Sequence, residues 1–280
     1  MIPAEFDYHR AESVDDAVRA LADGGEDAKL LAGGHSLVPL MKLRLATPTL
    51  LVDISRLDDL RGVAADNDTW TIGAGTHHAE LQNREDLGVV ARAASLIADQ
   101  QVRNRGTIGG SIAHGDPASD LPTVLLAADG SVEAQGASGS RTIAASDLFQ
   151  DYLTTTLAAD EVITRVTMPS LEGWSWGYEK FARRSEDWAM VGVCALVKAS
   201  GGQVEDVRIG LTHMGSTPLR ATAAEDALRG GSLDADSIAA AAEQAAEGTD
   251  PPGDLNATPD YKRHLARTLC RRALEQAATT

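Results

Sequence analysis

Two short segments, far apart in the sequence, each join a pair of glycines to a hydroxyl side chain: Ala32-Gly33-Gly34-His35-Ser36 and Thr107-Ile108-Gly109-Gly110-Ser111. A chain carrying them must turn tightly twice, and residues without a Cβ leave backbone N–H groups open to a ligand. The first segment lies between a short apolar strand through Leu30 and Leu31 and a helix starting near Ser36, whose hydroxyl can cap it. Such a turn can hold a phosphate. An ordinary loop with an N-cap has the same pattern. The second segment stands beside Arg103 and Arg105 and is followed by Asp116 and Asp120. As a pair, the loops could clamp the two phosphates of one dinucleotide, with a carboxylate such as Asp120 accepting from ribityl or ribose hydroxyls.

The 280 residues predict about two domains, and a hydrophobic content of 43% gives each a core. Ser13 and Asp16 open a capped helix that ends at Gly24-Gly25. Strands are predicted through Leu30 and Leu31, over Leu50 to Ile54 and from Thr69. Helical patterns cover Ala79 to Gln100. Val124 to Ala128, Ser131 to Gln135 and Glu161 to Met168 read as strands, with Asp129-Gly130 as a hairpin turn. Beyond Gly173 come three strand-like runs, Trp174 to Phe181, Val191 to Ala199 and Val204 to His213. An alanine-rich helical region follows Pro218 and closes with a basic helix bearing Lys262, Arg263, Arg267, Arg271 and Arg272, either a docking face or a solvated surface. The domain boundary is placed near Glu172.

Several functions are excluded. A net charge of −16 repels nucleic acid, and it also repels an anionic dinucleotide, which must be held by local N–H donors. Gly73-Ala74-Gly75-Thr76-His77-His78 imitates a Rossmann fingerprint but has His78 where the third glycine belongs, so a structural turn is the better reading. No histidine pair has the spacing of a helical metal site, and no G-x-S-x-G elbow is present. Cys194 and Cys270 read as separate buried thiols, which places the chain in a reducing cytoplasmic setting and iron–sulfur clusters elsewhere. The first residues lack a signal-peptide pattern, and no run approaches the ~18 apolar residues of a membrane span, so membrane contact would be peripheral, at the inner face.

Tyr178, Lys180, Arg183, Arg184, Asp187 and Trp188 form an aromatic and charged cluster at the predicted boundary. Tyr178 and Trp188 can equally be strand core. With these residues in view, a resemblance emerges. The opening Phe6-Asp7-Tyr8-His9-Arg10, the run LAGGHSLVPLMKLRL from Leu31 to Leu45, and Thr107 to Ser111 with Gly115-Asp116-Pro117 resemble the FAD-carrying medium subunits of aerobic carbon monoxide dehydrogenases. More broadly the chain is similar to the flavin domains of the xanthine dehydrogenase family of molybdenum hydroxylases.

The resemblance implies an α+β fold. A two-subdomain FAD domain of the vanillyl-alcohol-oxidase type spans 1–172 (about 1–55 and 56–172), and residues 173–280 carry a three-stranded antiparallel sheet with helices. It implies non-covalent FAD, with its pyrophosphate on Ala32, Gly33, Gly34, His35 and Ser36 and on Thr107, Ile108, Gly109, Gly110 and Ser111. Asp120 would bond a flavin hydroxyl, while Ile163 and Lys180 border the isoalloxazine. Trp188 would cover a flavin face where the family has a tyrosine, and an indole stacks as well but lacks the phenol's hydrogen bond. Ser111 replaces a common asparagine. Implied partners are a large molybdenum-containing subunit and a small subunit with 2Fe-2S clusters, as a dimer of heterotrimers, with a quinone or another external acceptor. No residue of this chain is expected to act as acid, base or metal ligand.

Overall fold

A computed structural model describes residues 2–66 and 68–279. The chain begins with β1 (Asp7–Arg10), α1 (Val14–Gly24), β2 (Ala28–Leu31), α2 (Leu37–Leu43) and β3 (Leu50–Asp53). The Ser13 hydroxyl accepts from the Asp16 N–H at 3.1 Å, which caps α1, and a cap of this kind contributes about 1 kcal/mol. Ala17, Val18 and Leu21 form the buried stripe of the helix. They pack on a parallel three-stranded sheet of order β1-β3-β2.

Next come β4 (Val63–Asp66), β5 (Thr69–Gly73), α3 (His78–Leu81), α4 (Val89–Ser95), α5 (Gln100–Arg103), α6 (Ile108–His114) and α7 (Asp120–Ala127). The helical pattern from Ala79 to Gln100 is thus divided. Positive φ at Gly88 (+52°), the N-cap of α4, and at Ala98 (+43°), between α4 and α5, interrupts the helical path. The predicted strand Val124 to Ala128 belongs instead to α7. Seven of the eight α7 residues are buried, so no polar face survives to reveal a helical period, and a short apolar run then looks the same as a buried strand. Pro122 is accommodated because the first-turn N–H groups lack intrahelical acceptors. Asp129-Gly130 is therefore the end of a helix rather than a hairpin. Asp129 sits at φ +51°, and the Gly130 N–H returns to the Leu125 carbonyl at 2.9 Å.

The chain continues with β6 (Ser131–Gly136), β7 (Gly139–Ala144), α8 (Ala145–Leu148), β8 (Phe149–Asp151), β9 (Thr154–Thr155) and β10 (Val162–Pro169), and an antiparallel sheet forms in the order β4-β5-β10-β6-β7. The last part holds β11 (Ser175–Phe181), β12 (Val191–Ser200), β13 (Gln203–Thr212), β14 (Leu219–Arg220), α9 (Thr222–Leu228), α10 (Ala235–Glu243) and α11 (Pro259–Thr279). The three predicted long strands form the antiparallel meander, and two-residue β14 extends it by a fourth.

Both faces of the meander are covered. Along β12, Cys194 and Leu196 join the core shared with α4 and α7, while Val193, Ala195 and Val197 pack beneath α9, α10 and α11. This period of two is the pleat of the strand. Its consequence is that β11 and β12 meet the start of α7, which brings Lys180 and Trp188 to the same region as Asp120. Lys262, counted with the basic surface of the last helix, is fully buried and bonded to Asp254 at 2.7 Å. Of the arginines on that helix, Arg263 pairs with Asp260 and Arg271 with Glu275 on α11 itself, and Arg267 pairs with Glu243 of α10.

Candidate functional site

A cleft of about 530 Å³ brings the two glycine loops together. Its size lies within the ~300–1,000 Å³ common for small-molecule sites. Ala32, Gly33, Gly34, His35 and Ser36 line it together with Thr107, Gly109, Gly110 and Ser111. The loops touch at Gly33. A Cβ there would overlap the Arg105 carbonyl oxygen and stand 2.8 Å from the Gly106 Cα. Gly34 adopts φ +78°, a conformation open to glycine and strained for other residues.

The two loops differ in what they offer. The N–H groups of Gly33, Gly34, His35 and Ser36 have no backbone acceptor among the described residues. Ser36 occupies the N-cap position of α2, yet its side chain makes no cap bond. Its backbone (φ −100°, ψ −53°) is already helical, and the hydroxyl cannot swing back as it does from an extended N-cap. This first loop is therefore a row of free donors. In the second loop, which the structure winds into the first turn of α6 behind its N-cap Thr107, the donors are used by the fold: Ile108 N–H donates to Thr76 O at 3.1 Å, Gly109 N–H to Ala74 O at 2.8 Å, and Gly110 N–H to Thr107 Oγ1 at 3.1 Å. The loop is held as a firm wall that presents Ser111. The Ile108 side chain is buried in the core and does not line the cleft, so it anchors the wall.

Asp120, at the start of α7, accepts from the Tyr178 hydroxyl at 2.6 Å through Oδ1 and from Lys180 Nζ at 2.8 Å through Oδ2. Lys180 also donates to Leu96 O at 3.0 Å. Tyr178 is completely buried, as a core reading expects, whereas Trp188 is 56% exposed at the rim of the cleft. Burial and the Asp120 carboxylate raise the Tyr178 pKa well above the phenol range, so it stays a proton donor. Ile163 reaches the cleft beside a break in the β10–β6 register between Ile163 and Arg165, where a bulge turns the strand.

The Gly73–His78 turn is structural, and it is also part of the wall. Ala74, Gly75, His77 and His78 line the cleft, and the carbonyls of Ala74 and Thr76 hold the second loop. That bracing is a pairing between distant segments and has no local sequence signal. His78 is 4% exposed and its Nδ1 lacks a hydrogen-bond partner among the described residues. Burial lowers its pKa to about 4, and burial lowers that of His114 as well, so both are neutral near pH 7. Lys29, Arg61 and Lys180 line the cleft alongside Asp120, Glu186 and Asp187, a local balance unlike the net charge of the whole chain. Among the described residues no cluster of potential metal ligands is present. Free amide donors, a glycine wall and hydroxyls at the rim suit a phosphate-bearing ligand of dinucleotide size.

Comparison with known proteins decides which ligand. A family profile described as the FAD binding domain in molybdopterin dehydrogenase matches residues 4–171, and one described as the CO dehydrogenase flavoprotein C-terminal domain matches residues 176–277. The chain belongs to the FAD-binding subunits of the molybdopterin dehydrogenases. This FAD-binding subunit is 42% identical to the carbon monoxide dehydrogenase medium chain of Hydrogenophaga pseudoflava, over 99% of this chain and 98% of that one. It is 41% identical to the 6-hydroxypseudooxynicotine dehydrogenase complex subunit alpha of Paenarthrobacter nicotinovorans, over 99% and 96%. A solved structure of the Hydrogenophaga pseudoflava carbon monoxide dehydrogenase lacking the Mo-pyranopterin moiety superposes with a TM-score of 0.97 at 44% identity, covering 100% of this chain and 99% of that one. The flavoprotein is thus an oxidoreductase subunit of the carbon monoxide dehydrogenase or related molybdenum hydroxylase type. Among the described residues, no helix is long and apolar enough to cross a membrane.

Proposed function

We propose that this chain holds FAD in the cleft and is the electron-transfer subunit of a carbon monoxide dehydrogenase. The observation that carries the reading is the row of free N–H groups from Gly33 to Ser36 in a cleft that Ser111 also lines, in a chain similar over 99% of its length to a carbon monoxide dehydrogenase medium chain. When bound, FAD supplies the redox chemistry, taking electrons from partner 2Fe-2S clusters and passing them to an external acceptor, a quinone.

The residues of this chain bind and orient. Gly33, Gly34, His35 and Ser36 donate to the pyrophosphate, and Thr107 to Ser111 form the wall. Each Asp120 oxygen keeps a lone pair beyond its bond to Tyr178 or Lys180, enough to accept from a flavin hydroxyl. Ile163, Lys180 and Trp188 border the ring system. We assign residues 1–172 to the FAD domain and 173–280 to a C-terminal domain that completes the cleft. Cys194 and Cys270 are both buried and free, which leaves iron–sulfur ligation to a small partner subunit and the molybdenum cofactor to a large one, in a dimer of heterotrimers. We place the assembly in the cytoplasm, in peripheral contact with the membrane that holds its quinone.

The test is isolation of the native complex and assay of carbon monoxide-dependent dye reduction. An FAD-containing complex inert to carbon monoxide would overturn the substrate. A second reading, a hydroxylase of an N-heterocycle, is favoured by the near-equal 41% identity to the nicotine-derivative enzyme. Assay of the same complex with purines and pyridines distinguishes the two, because substrate contact belongs to the large subunit.

A further inference from the structure

The segment that carries Trp188 connects β11 to β12 without regular structure of its own, and it is held from behind by half-buried His213, which rests on buried Lys262. Lys262, fully buried on α11, donates to Asp254 Oδ2 at 2.7 Å and lies 3.3 Å from His213 Nε2. An ammonium only donates, so Nε2 accepts and the proton of the neutral ring stands on Nδ1. That Nδ1 is 2.9 Å from the carbonyl oxygen of Ala189, which only accepts. The two contacts fix one tautomer between them. Burial shifts the His213 pKa downward, which also favours the neutral ring.

The backbone of His213 makes a second tie. At φ +62°, its N–H donates to the Pro117 carbonyl at 2.8 Å, three residues before Asp120. One residue therefore fastens both segments that lead to the cleft, the one ending in Asp120 and the one bearing Trp188. Asp254 already pairs with the Lys262 ammonium, so the contact with the imidazole orders His213.

We propose that His213 and Lys262 are positioning residues that latch the Trp188 segment at the cleft rim and so set the contact of the indole with the isoalloxazine of bound FAD. The proposal rests on the reading that the cleft holds FAD with Trp188 beside its ring. Neither His213 nor Lys262 lines the cleft, so both act through the segments they hold.

The test uses the full-length, FAD-loaded protein and reads flavin fluorescence, which a stacked indole quenches, and the flavin midpoint potential. Trp188→Ala calibrates both signals. His213→Gly tolerates the left-handed backbone but removes the ring, and is expected to raise flavin fluorescence several-fold and shift the potential in the direction given by Trp188→Ala. His213→Asn, which tolerates φ > 0 and places an amide near the Nδ1 position, is expected to restore most of both signals. Lys262→Met should reproduce part of the His213→Gly effect, and if it fails to fold the two His213 variants still decide. Wild-type signals in His213→Gly beside altered signals in Trp188→Ala would overturn the latch alone. Unaltered signals in Trp188→Ala would overturn the placement of Trp188 beside the flavin, and the latch with it.

Discussion

Asp120 and Lys180 form an ion pair of 2.8 Å with side chains 4% and 6% exposed, joining the start of α7 to β11, the first strand of the C-terminal meander. Lys180→Met would leave the carboxylate buried with only Tyr178 as a partner, a loss expected to cost about 3–5 kcal/mol. The double variant Lys180→Met/Asp120→Leu should recover much of that, since the uncompensated charge goes with it. Urea unfolding of the three proteins measures this. A Lys180→Met cost under about 1 kcal/mol, the size of an exposed pair, would show that water reaches the site.

Retention of FAD should depend on glycine at both loops, for different reasons. Gly34→Val forces a branched residue to φ +78°, with strain of about 1–3 kcal/mol falling on the donor row. Gly110→Val introduces a Cβ 2.8 Å from the Thr107 hydroxyl, against the cap that holds the wall. Both should lose flavin on gel filtration while keeping a cooperative unfolding transition. The ratio of absorbance at 450 nm to 280 nm, with the visible band serving as the flavin marker, reads the result, and wild-type yellow fractions from either variant would contradict the loop assignment.

The two cysteines should be silent in the folded protein. Burial pushes both thiols up to about 12, so almost no thiolate exists near neutral pH, and neither sulfur reaches solvent. Titration with a chromogenic disulfide should find no reactive thiol in native protein and both in guanidinium. Prompt native reaction at either position would mean that β12 or α11 opens readily.

What was legible in the chain was local chemistry. Ser13 and Asp16 announce a cap because the bond they make spans three residues, and the strand of Val191 to Ala199 shows itself by β-branched content and length. Less visible was whatever depends on distant partners. The α7 helix is buried on all sides, which removes the amphipathic period that would have distinguished it from a strand. Lys262 looks like surface charge until the loop bearing Asp254 folds over it. The glycine loops point to a phosphate site from sequence, but only the structure shows that one keeps its donors free while the other spends them on Ala74 and Thr76. The spacing of residues is blind to that difference, because both segments place a hydroxyl side chain beside a glycine pair.

His78 connects the cleft wall to pH. Its folded-state pKa lies near 4, against 6.5 in its ordinary state, because burial disfavours the charged ring. At pH above about 6.5 the ring is neutral whether the chain is folded or not, and it adds no pH dependence. Between about 6.5 and about 4 the unfolded chain binds the proton and the folded one does not, so stability falls as pH drops, and it levels off once both are charged. The contribution lost is about 2 kcal/mol by pH 5 and about 3 kcal/mol at the lower plateau. Wild type and His78→Leu, both FAD-loaded, can be unfolded in urea at pH 7.5 and pH 5. The wild type should lose about 2 kcal/mol more than the variant over that interval. Equal losses in the two proteins would mean that His78 already holds its proton in the fold, or that a polar partner in the bound cofactor accepts from its Nδ1.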